Sequence, residues 1–278
     1  MTISRLSRYL HVHFVIFLSF TVNADEVVPS TITFESGRDN QNGESRLLDM
    51  NLALRDGNRF LFGLGGDKQK TGSNLYNTGF IYLGLGSNPL KKVSVKGLLE
   101  YSGKKDQLTV FSASLPITSK GKESSFTFTP IMRNISLYTV ANKKMTVSSP
   151  AFGLTATSYV GTRGRLTGST FFYYYSRDVA TLTNLQVLRI FTEPTLLQAS
   201  NLLKRKYVIE AGMDYRDFSW SAGWNKNISA VVPNDSEYAY VTTDFYLSSA
   251  WSLNLLFGKY INTSADSHFG SVAISYSF

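Results

Sequence analysis

The sequence predicts an all-β chain: a transmembrane, antiparallel, up-and-down β-barrel of about fourteen strands, with twelve as the alternative count. Three observations predict it. From residue 30 onward, apolar and polar residues alternate with a period of two, the pattern of strands whose two faces meet different media. The composition, with 21 Gly, 16 Tyr, 19 Phe and no Cys in 278 residues, is that of a glycine- and aromatic-rich β chain without disulfide staples. Beyond the first 25 residues, no stretch approaches the roughly 18 consecutive apolar residues that a spanning helix needs.

The N-terminus reads as a secretory signal peptide over residues 1–24. Arg5 and Arg8 supply the positive start, VHFVIFLSFTV at 12–22 the apolar core, and Val22-Asn23-Ala24 the small-residue cleavage site. That core is too short to span a bilayer. The mature chain is expected to run from 25 to 278 as one domain. Without Arg5 and Arg8 it carries 26 basic against 20 acidic residues, a net charge of +6.

The strands are expected at 30–37, 46–55, 58–65, 75–86, 91–102, 106–115, 124–138, 144–160, 163–176, 205–215, 217–230, 236–248, 250–261 and 268–278. Several alternate cleanly. Leu48, Met50, Leu52 and Leu54 oppose Asp49, Asn51, Ala53 and Arg55. Phe218, Trp220, Ala222 and Trp224 oppose Ser219, Ser221, Gly223 and Asn225. Trp251, Leu253, Leu255 and Phe257 oppose Ser252 and Asn254. The second strand half at 124–138 breaks phase, since Phe126 and Phe128 do not match Ile135 and Leu137; this predicts a bulge near Pro130.

Alternating strands suit a soluble sandwich or barrel with its apolar face inward, or a membrane barrel with that face outward. The connectors favour the membrane. Turns at 55–58, 87–91, 215–218 and 248–251 are short, whereas 37–45, 66–74, 228–237 and 262–267 are longer and polar. Such asymmetry belongs to barrels whose ends face different compartments. The inner connector at 116–123 is too long for this rule and the outer one at 103–106 too short. Tyr173, Tyr174, Tyr175, Tyr207, Tyr215, Trp220, Trp224, Tyr246, Trp251, Tyr260 and Tyr276 crowd strand ends, where amphipathic rings meet head groups. Tyr215, Trp220, Trp224, Trp251 and Tyr276 form the expected aromatic girdle.

The chain closes on a fully patterned strand, with Val272, Ile274, Tyr276 and Phe278 alternating against Ser271, Ala273, Ser275 and Ser277. Pairing it with the first strand would remove both sheet edges. This terminal Phe278, with Tyr276, Ile274 and Val272 behind it, resembles the C-terminal signature of Gram-negative outer-membrane β-barrel proteins. The resemblance implies that the last strand is the signal read by the barrel-assembly machinery, and that the mature protein resides in the outer membrane.

One connector stands apart, 177–206 between the ninth and tenth strands. Thr192 reads as an N-cap, Pro194 as first-turn residue, and Leu196, Leu197 and Leu203 as one helical stripe, with Lys204, Arg205 and Lys206 at the helix C-terminus. A short helix folded into the lumen and one packed at the rim or mouth are the two alternatives, the latter preferred because a polar lumen offers a leucine stripe little cover.

Chemistry is sparse. The mature chain holds only His268, in an Asp-Ser-His tripeptide, with Asp235 and Glu237 as the nearest carboxylates by topology; a rim hydrolase built on these is the distant functional alternative. One His and no Cys argue for no metal site and no cofactor. By strand parity Glu35, Asp49, Lys96, Glu100, Glu210, Asp214 and Asp244 face the lumen, with Arg133 less clearly placed. Six acids against one or two bases would favour cations in a water-filled pore. The leading expectation is a passive pore for small polar solutes with a mild cation preference; the rival is a non-conducting structural or surface-interaction barrel with a filled lumen. The expected surroundings are outer-membrane lipid, with connector lysines such as Lys68 and Lys144 against lipopolysaccharide phosphates. Charges at both ends of a secreted barrel argue against nucleic acid.

Overall fold

Each alternating run becomes a strand because a sheet sends successive side chains to opposite faces. The computed structural model describes residues 29–40, 43–54, 57–71, 74–90, 92–104, 108–138, 144–177, 179, 202–230, 235–261 and 267–278. The strand segments are β1 (Thr31–Asp39), β2 (Gly43–Ala53), β3 (Arg59–Thr71), β4 (Asn74–Leu90), β5 (Val93–Lys104), β6 (Leu108–Ser114), β7 (Ile117–Lys120), β8 (Ser124–Tyr138), β9 (Lys144–Val160), β10 (Gly164–Tyr173), β11 (Leu203–Asp214), β12 (Phe218–Ser229), β13 (Ser236–Tyr246), β14 (Trp251–Ile261) and β15 (His268–Ser277). All pairings are antiparallel, and β1 pairs with β15 from Thr31↔Ser277 to Asp39↔Phe269, so the sheet closes on itself.

β6 and β7 are halves of one strand. Both pair with β5 and with β8, and the register runs on from Ser114↔Ile131 to Ile117↔Phe128 without slipping. The gap falls at Leu115–Pro116 because Pro116 has no N–H for the ladder, while its carbonyl still accepts from Lys96 N at 2.9 Å. Fifteen segments less this one break leave a barrel of fourteen strands. The overlong inner connector at 116–123 thereby shrinks to 121–123. At this same end, called the terminal end below, Ser30 and Phe278 exchange both backbone hydrogen bonds, 3.1 and 3.0 Å.

At the opposite, far end the strands outrun the sequence expectation. Residues 37–39, 43–45 and 66–71, expected as polar loops, are strand, so the β1–β2 and β3–β4 hairpins need only 40–42 and 72–73 as connectors. The alternation fades where the apolar band stops, but the backbone ladder does not depend on it. Strand β11 likewise starts at Leu203, so Lys204, Arg205 and Lys206 are strand residues and not a helix C-terminus. Residues 180–201, which include the expected helix start, lie outside the described residues.

The outer face is apolar all round: Phe34, Leu64, Leu83, Leu85, Leu99, Phe126, Met132, Leu166, Ile209, Phe257, Val272 and Ile274 are all exposed. Each such side chain, about half exposed, forgoes about 1 kcal/mol in water, and a dozen together are comparable to the roughly 5–15 kcal/mol by which folded domains are stable. Lipid is the medium that removes this penalty.

The expected bulge near Pro130 is absent. The β8–β9 ladder is unbroken from Ser124↔Ser158 to Tyr138↔Lys144. Phe126, Phe128 and Met132 face out, and Arg133, Ile135 and Leu137 share the inward parity. The apolar residues do not change face; the environment inside changes. Near the far end Leu108, Val110, Ile135, Leu137 and Val147 form a buried cluster with Val179 and Leu202, each 2% exposed, from the two ends of the long connector.

Candidate functional site

The inner wall is the concave, chemically mixed surface of the barrel, and the ladders show what lies on it. One row of directly opposed inward residues reads Ser275, Thr33, Asp49, Gly63, Tyr82, Glu100, Ser112, Arg133, Ser149 across β15 to β9. A second reads Thr157, Thr167, Glu210, Gly223, Tyr240, Gly258, Phe269 from β9 to β15.

Both rows contain the same three-strand arrangement: carboxylate, glycine, tyrosine. The Tyr82 ring lies flat on Gly63, and its hydroxyl donates to Asp49 Oδ1. The Tyr240 ring lies on Gly223 and donates to Glu210 Oε2 at 2.8 Å. Only a residue without Cβ admits such an approach. Phe80 over Gly65, Phe171 over Gly153 and Phe269 over Gly258 repeat the ring-on-glycine contact. Large inward rings are thus laid along the wall instead of across the lumen.

Several of the charges are held by ion pairs or by neutral hydrogen-bonding side chains. Glu210, 3% exposed, also accepts from Arg165 Nη2 at 3.4 Å, and Arg165 Nη1 lies 3.6 Å from Asp214. Asp244 accepts from Asn254 Nδ2 at 2.7 Å and Ser219 Oγ at 3.2 Å. Arg59 donates to Asn51 Oδ1 at 3.2 Å. Hydroxyl pairs line the remaining wall: Thr33 with Ser275 at 2.7 Å, Thr118 with Thr127 at 2.8 Å, Thr155 with Ser169 at 2.9 Å and Thr157 with Thr167 at 3.1 Å.

Arg133 sits below the apolar cluster. Its guanidinium donates to Ser149 Oγ at 2.9 Å and Tyr175 Oη at 3.1 Å and stacks 4.2 Å from the centre of the Tyr173 ring. Tyr175 Oη in turn donates to the Leu203 carbonyl at 2.6 Å. The two roots of the long connector are therefore hydrogen-bonded together over a buried cation, inside the wall and not on the outer rim.

Glu35, Asp49, Lys96, Glu100, Glu210, Asp214 and Asp244 all occupy inward register positions. The same parity adds Arg59, Lys120, Arg165 and Lys206 to Lys96 and Arg133, and Asp39 and Asp67 to the acids. Among the residues whose side chains are described, eight acids now share the inner wall with six bases, where the sequence suggested six against one or two.

Of the girdle residues, Trp220, Trp251 and Tyr276 face out near the terminal end, with Tyr276 between Trp251 and Phe278 at 4.8 and 5.8 Å; Tyr215 stacks on Phe218 at 4.7 Å. Trp224 also faces out but opposes Ile209 and Ala239 in mid-strand. Tyr173, Tyr175, Tyr246 and Tyr260, read from sequence as strand-end rings, have the inward parity. The assembly-signal residues Val272, Ile274, Tyr276 and Phe278 are exposed on the outer face.

His268 is exposed beside Phe257 on that outer face. Asp235 and Glu237 are occupied by Lys226 Nζ at 3.3 and 2.9 Å, so the histidine and these carboxylates do not form a constellation. Among the described residues no three metal-binding side chains meet.

Sequence reasoning missed the Tyr–Gly–carboxylate rows. Their signal was present: in a hairpin the opposed residue numbers have a constant sum, and once the β3–β4 turn is placed at 72–73, Gly63 must face Tyr82 and Gly65 must face Phe80.

No protein-family model matches the chain, and no curated protein does. Solved structures do. The chain is similar to the CymD monoaromatic hydrocarbon channel, with a TM-score of 0.55 and 7% identity over 92% of this chain and 90% of that one. It is similar to the Pseudomonas putida toluene transporter TodX, with a TM-score of 0.54 and 10% identity over 98% and 95%. A loop L8 deletion mutant of OmpT, an outer membrane protein of Vibrio cholerae, gives 0.50 and 9% over 90% and 99%. At these identities the likeness is one of fold: a closed antiparallel transmembrane barrel of the outer-membrane kind.

Proposed function

We propose that the chain is an outer-membrane barrel that passes small polar solutes passively, delivered by cleavage of its signal peptide near Ala24 and inserted by the barrel-assembly machinery through its last strand. The observation that carries this reading is the inner wall: rings lie on glycines while hydroxyls and hydrogen-bonded charged groups line the interior. Barrels wider than eight strands can leave space inside, and such a wall supplies it with hydrogen-bonding groups. That similar barrels serve as a channel and a transporter supports a conduit without naming the solute. With eight acids against six bases among the described side chains, the acid excess falls to two from the expected four or five, too small to carry a cation preference, so that preference is not part of the proposal. An enzyme is not supported by the placement of His268.

A second reading, a barrel whose mouth is closed, is favoured by the apolar cluster that receives Val179 and Leu202. Planar-bilayer recording separates the two. The pore reading expects ohmic single-channel steps from the folded mature chain; a folded but silent protein would leave only the closed barrel.

A further inference from the structure

At the far end the outward face of five adjacent strands changes abruptly from apolar to cationic. Arg38 on β1, Arg46 on β2, Lys68 on β3 and Lys259 on β14 all have the outward parity and are exposed. His268 on β15, opposite Lys259, lies among them. The register fixes their arrangement: Lys68 opposes Glu44, Glu44 opposes Arg38, Arg46 opposes Ser36, and Asn40 N donates to the His268 carbonyl at 3.1 Å. Four strand spacings of about 4.8 Å make the patch about 19 Å wide. Among the described residues of these five strands, one outward carboxylate, Glu44, lies within it, 3.2 Å from Arg38. On the same parity immediately below come Phe34, Leu64, Phe257, Val272 and Ile274, all exposed.

Cations directly above a lipid-facing apolar band meet the layer where the phosphates of membrane amphiphiles lie. Arginine suits that partner because its planar fork can hold two phosphate oxygens at once. Outward lysine or arginine stands at the far end of β14, β1, β2 and β3, with the single described outward carboxylate of these strands, Glu44, among them. We propose that this face is a binding site for the phosphorylated head group of a multiply acylated membrane lipid, with Arg38, Arg46 and Lys68 gripping phosphate, Lys259 widening the positive field, and Glu44 fixing the Arg38 side chain. The proposal rests on the membrane reading of the barrel but not on its conducting.

The test uses the full mature chain in zwitterionic detergent, titrated with lipid A, a bisphosphorylated acylated glucosamine disaccharide, and read by native mass spectrometry. Each cation at a membrane surface is worth about fivefold in affinity, so Arg38→Ala, Arg46→Ala and Lys68→Ala together should weaken lipid A roughly a hundredfold. Lys259→Glu, on another strand, should weaken it independently, and covers the case in which the triple variant does not fold. Equal affinity of the folded variants and the parent would overturn the site. Inorganic phosphate binding the parent as tightly as lipid A would overturn the lipid as its ligand. Single-channel recordings on the same samples should be unchanged, because the substituted side chains face outward; loss of conductance in the parent would count against the pore and leave this site standing.

Discussion

The ring-on-glycine contact at Gly223 sets a dimension of the lumen, and replacing that glycine should change both stability and conductance. A Cβ there would lie 2.4 Å from Tyr240 Cζ and 2.5 Å from Tyr240 Oη. Two carbons rest at about 3.5–4.0 Å, so the ring must lift by about 1.1–1.6 Å. The Tyr240 Oη to Glu210 hydrogen bond, now 2.8 Å, would then exceed the roughly 3 Å at which such bonds hold. Losing a hydrogen bond to a buried carboxylate costs about 1.5–3 kcal/mol; since Arg165 still faces Glu210 at 3.4 Å, about 2 kcal/mol is expected. Gly223→Val should therefore unfold at lower urea and conduct less, because the displaced ring moves toward the axis. Tyr240→Ala should remove the sensitivity, so that adding Gly223→Val to it changes little, the mark of direct coupling. Wild-type conductance together with a wild-type unfolding midpoint in Gly223→Val would refute the reasoning.

Three further outcomes are expected. Arg133→Ala removes the cation between Tyr173, Tyr175 and Ser149; it should lower stability in urea by about 2 kcal/mol or more, and an unchanged unfolding midpoint would count against its role. In bilayers of lipids brominated on their acyl chains, the fluorescence of Trp220 and Trp251 should be quenched; full emission would mean that these rings do not meet lipid. Deleting Phe278 removes the two backbone bonds that it shares with Ser30 and should cut the yield of heat-modifiable folded barrel on gels, while substitution by Tyr should be tolerated.

The outer wall was legible because lipid asks one simple thing of it, and Leu48, Met50, Leu52, Trp251, Leu253 and Leu255 obey. Strand ends were less so. Past the apolar band Asp67, Lys68 and Glu44 carry no alternation signal, yet hydrogen bonding extends the hairpins through them. Pro116 looked like a turn because it lacks a donor, although its strand continues on either side. Ile135 and Leu137 looked out of phase because a lumen was assumed to be polar throughout; Val179 and Leu202 make one part of it apolar. The inward arginines Arg59 and Arg165 were overlooked, and with them much of the basic charge among the described inward side chains, because glycines within β3 and β10 blur the parity of those strands.

The junction between β1 and β15 joins Thr31 to Ser277, residues at opposite extremes of the described sequence. A ring sealed by that contact can have no stable half-built form: until the final ribbon arrives, two bare margins of unpaired amides and carbonyls remain open to any other chain nearby. Those margins disappear together, at the single moment when the seam zips shut.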